Sequence, residues 1–177
     1  MKHNWEIVKL GNVIEHRTGF ITIDDFQKYK LCRVQTKAQG VVLREEKEGF
    51  EIKTKNQQVC KTDDLIFAEM DARFGGYGII PVELDGAIVS SHYFLYEIDH
   101  AVIDKTFLNY CLKQSWFLAQ VEAKGSTNYA AIRPKQVLDY EIPLPPLAEQ
   151  QRIVAKIESV KNKIDEIKRL REEQEKE

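Results

Sequence analysis

The sequence predicts an α+β protein, an irregular and mostly antiparallel sheet carrying helices, followed by a long C-terminal helix of coiled-coil type. Three observations predict it. Before Pro143 the apolar segments are short, β-branched and aromatic, with Gly and Asp between them. After Pro146 the apolar residues recur at heptad spacing. Between the two regions stand Pro143, Pro145 and Pro146, three prolines in four residues.

The expected strands, in order, are "KLCRVQT" (30–36), "DLIFAEM" (64–70), "YGIIPV" (77–82), "GAIVSS" (86–91) and the alternating "HYFLYEI" (92–98). Such side chains fit a pleated, half-buried surface. One helix is expected over 104–125, with Asp104 capping its first amides and Gly125 at its far end. Phe107, Leu108, Cys111, Leu112 and Leu118 supply its apolar face. Proline fixes φ and pushes the preceding residue into an extended conformation, so Ile142 to Pro146 read as a stiff strut. Pro146 suits the first helical turn, where a missing N–H costs nothing. Beyond it Ile153, Ile157, Val160, Ile164 and Ile167 are spaced 4, 3, 4, 3, a seam with β-branched residues at both core positions. The next core slot is Arg171, so two helices paired over so short a seam are marginal in isolation. The chain therefore divides into a globular part (1–142), a strut (143–147) and a helix (148–177).

An apolar content of 43% is ample for one buried core. No apolar run has the length of a membrane span, and "MKHNWEIVKL" lacks the apolar region of a signal peptide, which points to the cytoplasm and to no membrane partner. Cys32, Cys60 and Cys111 are odd in number and widely separated, so buried free thiols are expected rather than a disulfide framework or a zinc site. The formal net charge of −2 argues against strong unaided binding to nucleic acid. From Leu147 onward there are eight basic and eight acidic residues, so that small excess belongs to the globular part.

Two patterns resemble catalytic ones, and a third kind is missing. Glu51-x-Lys53, with Asp24 and Asp25 upstream, has the form of the tail of a metal-dependent nuclease motif, in which two carboxylates hold Mg²⁺ near a lysine. The same spacing recurs at Glu122-x-Lys124 and Glu166-x-Lys168, as charged chains produce by chance. "RFGGYG" (73–78) lacks the Gly-Lys-Ser/Thr ending of a phosphate loop; it reads as a tight turn, or as a ligand-facing loop flanked by Arg73 and Tyr77. No Ser or Cys has a nucleophile elbow, and His3, His16, His92 and His100 show no metal spacing. A chain with no catalytic constellation and no metal or cofactor site of its own reads as a binder.

Two polar stretches carry the binding chemistry. "AKGSTNYAAIRPKQV" (123–137) offers Ser126, Thr127 and Asn128 as small hydrogen bonders, Tyr129 as a stacking ring, and Arg133 and Lys135 as phosphate-seeking cations. "RVQTKAQGVVLREEK" (33–47) offers Arg33, Gln35, Lys37, Gln39 and Arg44, residue types that read guanine or adenine edges. An ordinary polar surface loop is the alternative for each.

The proline-to-helix stretch "IPLPPLAEQQRIVAKIE" closely resembles the boundary between target recognition domain and conserved helix in specificity subunits of Type I restriction–modification systems. The start is similar too, through Trp5, Leu10, Gly11, Val13 and Gly19, as are the strand segments and the Gly-Ser/Thr stretch. The resemblance implies a non-catalytic subunit whose recognition domain reads a few base pairs of double-stranded DNA. Its helix would pair antiparallel with a second one through Ile153, Ile157, Val160, Ile164 and Ile167, holding two recognition domains at a fixed separation. Roughly 30 residues give about 45 Å of helix, more than one turn of DNA.

It further implies a modification subunit that binds S-adenosylmethionine and methylates a flipped adenine, and a restriction subunit that cleaves. This sequence lacks the Asn/Asp-Pro-Pro-Tyr motif of the methyltransferase. Typical members carry two recognition domains and two helices in tandem. One of each here leaves two readings open, a half subunit that forms a homodimer or the N-terminal half of a longer chain. A coiled-coil adaptor without sequence-specific DNA binding and, behind it, a metal-dependent nuclease are the rival functions.

Overall fold

The computed structural model describes residues 5–121 and 131–175. Among them the strands run β1 (Glu6–Lys9), β2 (Ile14–Arg17), β3 (Phe20–Thr22), β4 (Lys28–Gln35), β5 (Gly40–Glu48), β6 (Asn56–Val59), β7 (Leu65–Ala68), β8 (Tyr77–Ile79), β9 (Ile88–Val89), β10 (Tyr93–Ile98) and β11 (Glu141–Leu144). The helices are α1 (Lys105–Leu112), α2 (Ser115–Gln120), α3 (Pro134–Leu138) and α4 (Leu147–Gln174).

Alternation along β7 and β10 builds the layers. Leu65, Phe67, Phe94, Tyr96 and Ile98 face one core, with Phe107, Leu108, Leu112 and Phe117 of the helices. Ile66, Ala68 and Leu95 point the other way, to Cys32, Val34, Val41 and Cys60. The four-stranded sheet β2-β10-β7-β8 is therefore covered on both faces, by helices and by the five-stranded sheet β3-β6-β9-β4-β5. Every pairing is antiparallel except the contact of Leu31 with Ile88. This is the mixed, mostly antiparallel α+β fold with a long C-terminal helix that the sequence predicts. Strand β5 is the edge next to β4, and its "REEKE" end protects it with charge.

The helix expected over 104–125 is broken. Asp104 caps α1 as expected, accepting from the Thr106 and Phe107 amides at 2.9 Å each. Gln114 then turns extended (φ −82°, ψ 145°), and α2 starts in a new direction. At about 100° per residue a straight helix would carry Phe117 to the solvent side, far from the face of Phe107, Leu108 and Cys111. The break lets Phe117 enter the core, where it is fully buried.

The proline strut is in part a strand. Glu141–Leu144 pair with Lys9–Glu6 as β11 against β1, with Pro143 opposite Ile7. Pro146 precedes α4, and its carbonyl accepts from Glu149 and Gln150. Fully buried Gln150 accepts from the Asp104 amide (2.8 Å) and donates to the carbonyls of Val102 (3.1 Å) and Pro145 (2.8 Å). One side chain thus fastens α4 to the start of α1 and to its own strut.

Candidate nucleic-acid interface

Four connections meet at one end of the two sheets. The β4–β5 hairpin turns at 36–39, where Lys37 (φ 59°) and Ala38 (φ 51°) are both left-handed and the Gln39 amide donates to Thr36 at 3.4 Å. Hairpins usually reserve such turns for Asn-Gly. Here the conformation is held from outside. The amides of Lys37 and Ala38 donate to the carbonyls of Phe74 (2.6 Å) and Gly75 (2.9 Å) in the β7–β8 connection. Gly75, at φ +77°, permits that approach, since a Cβ there would stand 2.7 Å from the Ala38 nitrogen.

The β7–β8 connection joins two further segments through Glu69. Its amide donates to His92 at 2.8 Å, and its carbonyl accepts from Ile132 at 3.0 Å. Its carboxylate, 14% exposed, binds Arg133 Nη1 at 2.8 Å and His92 Nδ1 at 2.7 Å. Arg73 stacks its guanidinium over the half-exposed Phe74 ring, 4.5 Å from the centroid. Lys37, Arg73, His92 and Arg133 are all exposed on these connected segments.

The structure thus links Lys37, Gln39, Arg73 and Arg133, which the sequence offers as separate candidates. Arg33 and Gln35 lie on the outward side of β4, alternating with buried Cys32 and Val34. Arg44 stands exposed beside the bulge at Leu31/Cys32 and pairs with Glu45 at 3.3 Å. Burial raises the pKa of the Tyr93 hydroxyl, Cys32 and Asp71 raise it further, and the positive charge of Arg44 partly opposes them. Arg33 and Gln35 thus stand on the strand expected over 30–36, and Arg44 on its hairpin partner rather than in a loop. Ser126, Thr127, Asn128 and Tyr129 lie outside the described residues.

Two expectations need correction. Tyr77 is no ligand-facing ring: it is 1% exposed, packed 4.9 Å from Phe67 and 5.5 Å from Phe117 by centroid, and burial pushes its hydroxyl up to about 12. Period-two alternation on β8 turns it inward. Ile153 is not a free part of the helical seam either, because it and Val154 pack against the domain core. Ile157 is half-buried, while Val160, Ile164, Ile167 and also Leu170 are about half exposed. Tyr110 of α1 donates to Glu158 and accepts from Lys161 at 3.3 Å, and beyond Lys161 every described residue of α4 is exposed.

The residues of the nuclease-like pattern hold turns. Glu51 accepts from the Glu48 amide (3.0 Å) in a capping box, Asp24 accepts from the Phe26 amide (2.9 Å), and Asp25 pairs with Lys55. Cys32, Cys60 and Cys111 are buried free thiols, Cys111 pushed up to about 12 by burial.

A family of sequences with this organisation is known. The Type I restriction modification DNA specificity domain matches residues 2–176. The chain belongs to this family. It is 28% identical to the Type I restriction enzyme MjaVIII specificity subunit of Methanocaldococcus jannaschii over 181 residues, 97% of this chain and 42% of that protein. The crystal structure of the HsdS subunit from Thermoanaerobacter tengcongensis superposes with a TM-score of 0.80 at 26% identity, covering 99% of this chain and 46% of that one. A chain from a structural study of complex assembly and conformational transition in a type I R-M system gives 0.75, also at 26% identity, covering 99% and 47%. This chain spans just under half the length of each. Within the family fold, Glu69, His92, Phe74 and Gln150 escape the sequence reading. Gln150 alone had a signal, its place in "LAEQQR" directly after the strut.

Proposed function

We propose that this specificity-domain chain reads one half-site of double-stranded DNA through the loop end that carries Lys37, Gln39, Arg73 and Arg133, and sets half-site spacing with α4. Arg33, Gln35 and Arg44 extend the reading surface along the hairpin. The exposed stripe Val160, Ile164, Ile167 pairs with the same stripe of a second copy, giving inverted half-sites. The chain is non-catalytic. A modification subunit carrying S-adenosylmethionine methylates adenine at the site so chosen, and a restriction subunit cleaves. The partner clamp on the duplex accounts for a reading subunit with a net charge of −2.

The observation that carries the reading is the build of α4, which is fastened at its start by Gln150 and leaves the domain with an apolar stripe exposed. A helix that served only its own core would bury that stripe. The test is a gel-shift selection from randomised duplexes, with and without the modification subunit of the same system. Enrichment of a two-part site that depends on that subunit is expected. Equal retention of all sequences would leave a coiled-coil adaptor, and Mg²⁺-dependent cutting by the chain alone would require a nuclease.

A further inference from the structure

Glu69 presents an arrangement that stability does not explain. Exposed ion pairs add little to folding, and removing a carboxylate from water costs free energy. Yet its carboxylate, 14% exposed, is placed between two of the more exposed heads of the domain, Arg133 at 69% and His92 at 73%. The placement is rigid. The Glu69 backbone is stitched to His92 on one side and to Ile132 on the other. The Arg133 amide donates to Gln136 Oε1 at 2.6 Å, and Pro134 follows at the first turn of α3. The arginine is therefore fixed at its backbone and held again at its tip.

Resting on the DNA-reading function above, we propose that Arg133 reads a guanine and that Glu69 is its positioning residue, with His92 holding the second carboxylate oxygen. A guanidinium has five N–H donors in a planar fork. Glu69 takes one at Nη1, which leaves the Nε–Nη2 edge as a parallel pair of donors spaced to meet O6 and N7 of guanine. A freely rotating arginine would lose rotamer freedom on binding a base; this one has lost it already. The neighbouring carboxylate also makes the position poor for a phosphate, which it would repel, so the arginine is directed to a base edge. Lys37 and Arg73 have no carboxylate partner among the described residues and fit backbone contact better.

The experiment uses the full chain with its modification subunit and a randomised duplex pool, sequenced after selection. Wild type should prefer guanine at one position of the half-site. Arg133→Lys and Glu69→Ala should each lose that preference, a change of about 5- to 150-fold at that position, the range for a bidentate base contact, and keep the others. Glu69→Gln, which retains one acceptor, should fall between. With 7-deazaguanine at that position, which lacks N7, wild type should bind several-fold more weakly and Arg133→Lys should be indifferent. Unfolding midpoints of the variants should stay near wild type, as a mainly structural role would not allow.

A wild-type preference that both Arg133→Lys and Glu69→Ala keep overturns the assignment alone. So does uniform weakening across all positions, the behaviour of a phosphate contact. A wild-type chain with no preference at any position overturns the DNA-reading function and this assignment with it.

Discussion

Replacing Gln150 with Leu keeps the side-chain volume and deletes the fastening of α4. Three hydrogen bonds disappear, leaving the Asp104 amide and the carbonyls of Val102 and Pro145 without their partner beside a fully buried position. A net contribution of about 1 kcal/mol per bond gives about 3 kcal/mol, and stranded groups that water cannot reach raise it further. That is a large share of the about 5–15 kcal/mol that stabilises a domain of this size. The Asp104 cap lies on the same link, so α1 should loosen with α4. Urea unfolding followed by circular dichroism measures the loss, and limited proteolysis shows whether cleavage starts near the strut. A midpoint shift equivalent to less than about 1 kcal/mol, with no new cleavage there, would refute the fastening role.

Gly75→Ala should destabilise the protein and free the hairpin tip, because the new Cβ meets the Ala38 nitrogen at 2.7 Å; Gly86→Ala, at φ +73° with nothing within 4 Å, should show only the backbone strain of about 1 kcal/mol. Equal losses in the two would mean that Gly75 serves its turn alone. Ile164→Glu/Ile167→Glu should convert a dimer to monomer by sedimentation velocity, since each half-exposed side chain is worth a share of the about 1.5–3 kcal/mol of full burial and a buried unpaired charge is costly. An unchanged mass would show that the stripe does not join two copies. Glu158 is held below the usual glutamate range by the Tyr110 hydroxyl that donates to it. That contact should support the α1–α4 packing above the ordinary glutamate pKa and weaken as pH falls through the lowered one, an acid sensitivity that Glu158→Gln should lack in thermal melts.

The sequence carries the fold where side chains alternate over a run with one buried face or a long seam. β7, β10 and the start of α1 are legible for that reason, and α4 because one period persists over four turns. β1, β3 and β6 are not, being three or four residues long, too short to show a period, and held by pairing partners distant in sequence. β5 hides inside a stretch read as a loop because its charged edge mimics solvated chain. The candidate site divides likewise. Arg133 and Lys37 announce themselves by residue type, whereas Glu69, an acidic residue after a strand, gains meaning only when β7, His92 and Ile132 are brought together. Tyr77 misleads because glycines beside it suggest exposure, while its register on β8 buries it.

If α4 sets the distance between two reading surfaces, its length is the variable to change. Four residues inserted directly after Lys161 fall past the Tyr110 contact, in the part of α4 that is exposed throughout. They add about 6 Å and slightly more than one turn, which almost restores the face of the stripe. Methylation mapped on duplexes with graded spacers, with the modification subunit present, should then show a preferred spacer longer by one or two base pairs, at about 3.4 Å each, with both half-sites unchanged. An unchanged spacer preference, in a chain that still binds and still supports methylation by the modification subunit, would show that α4 does not set the spacing.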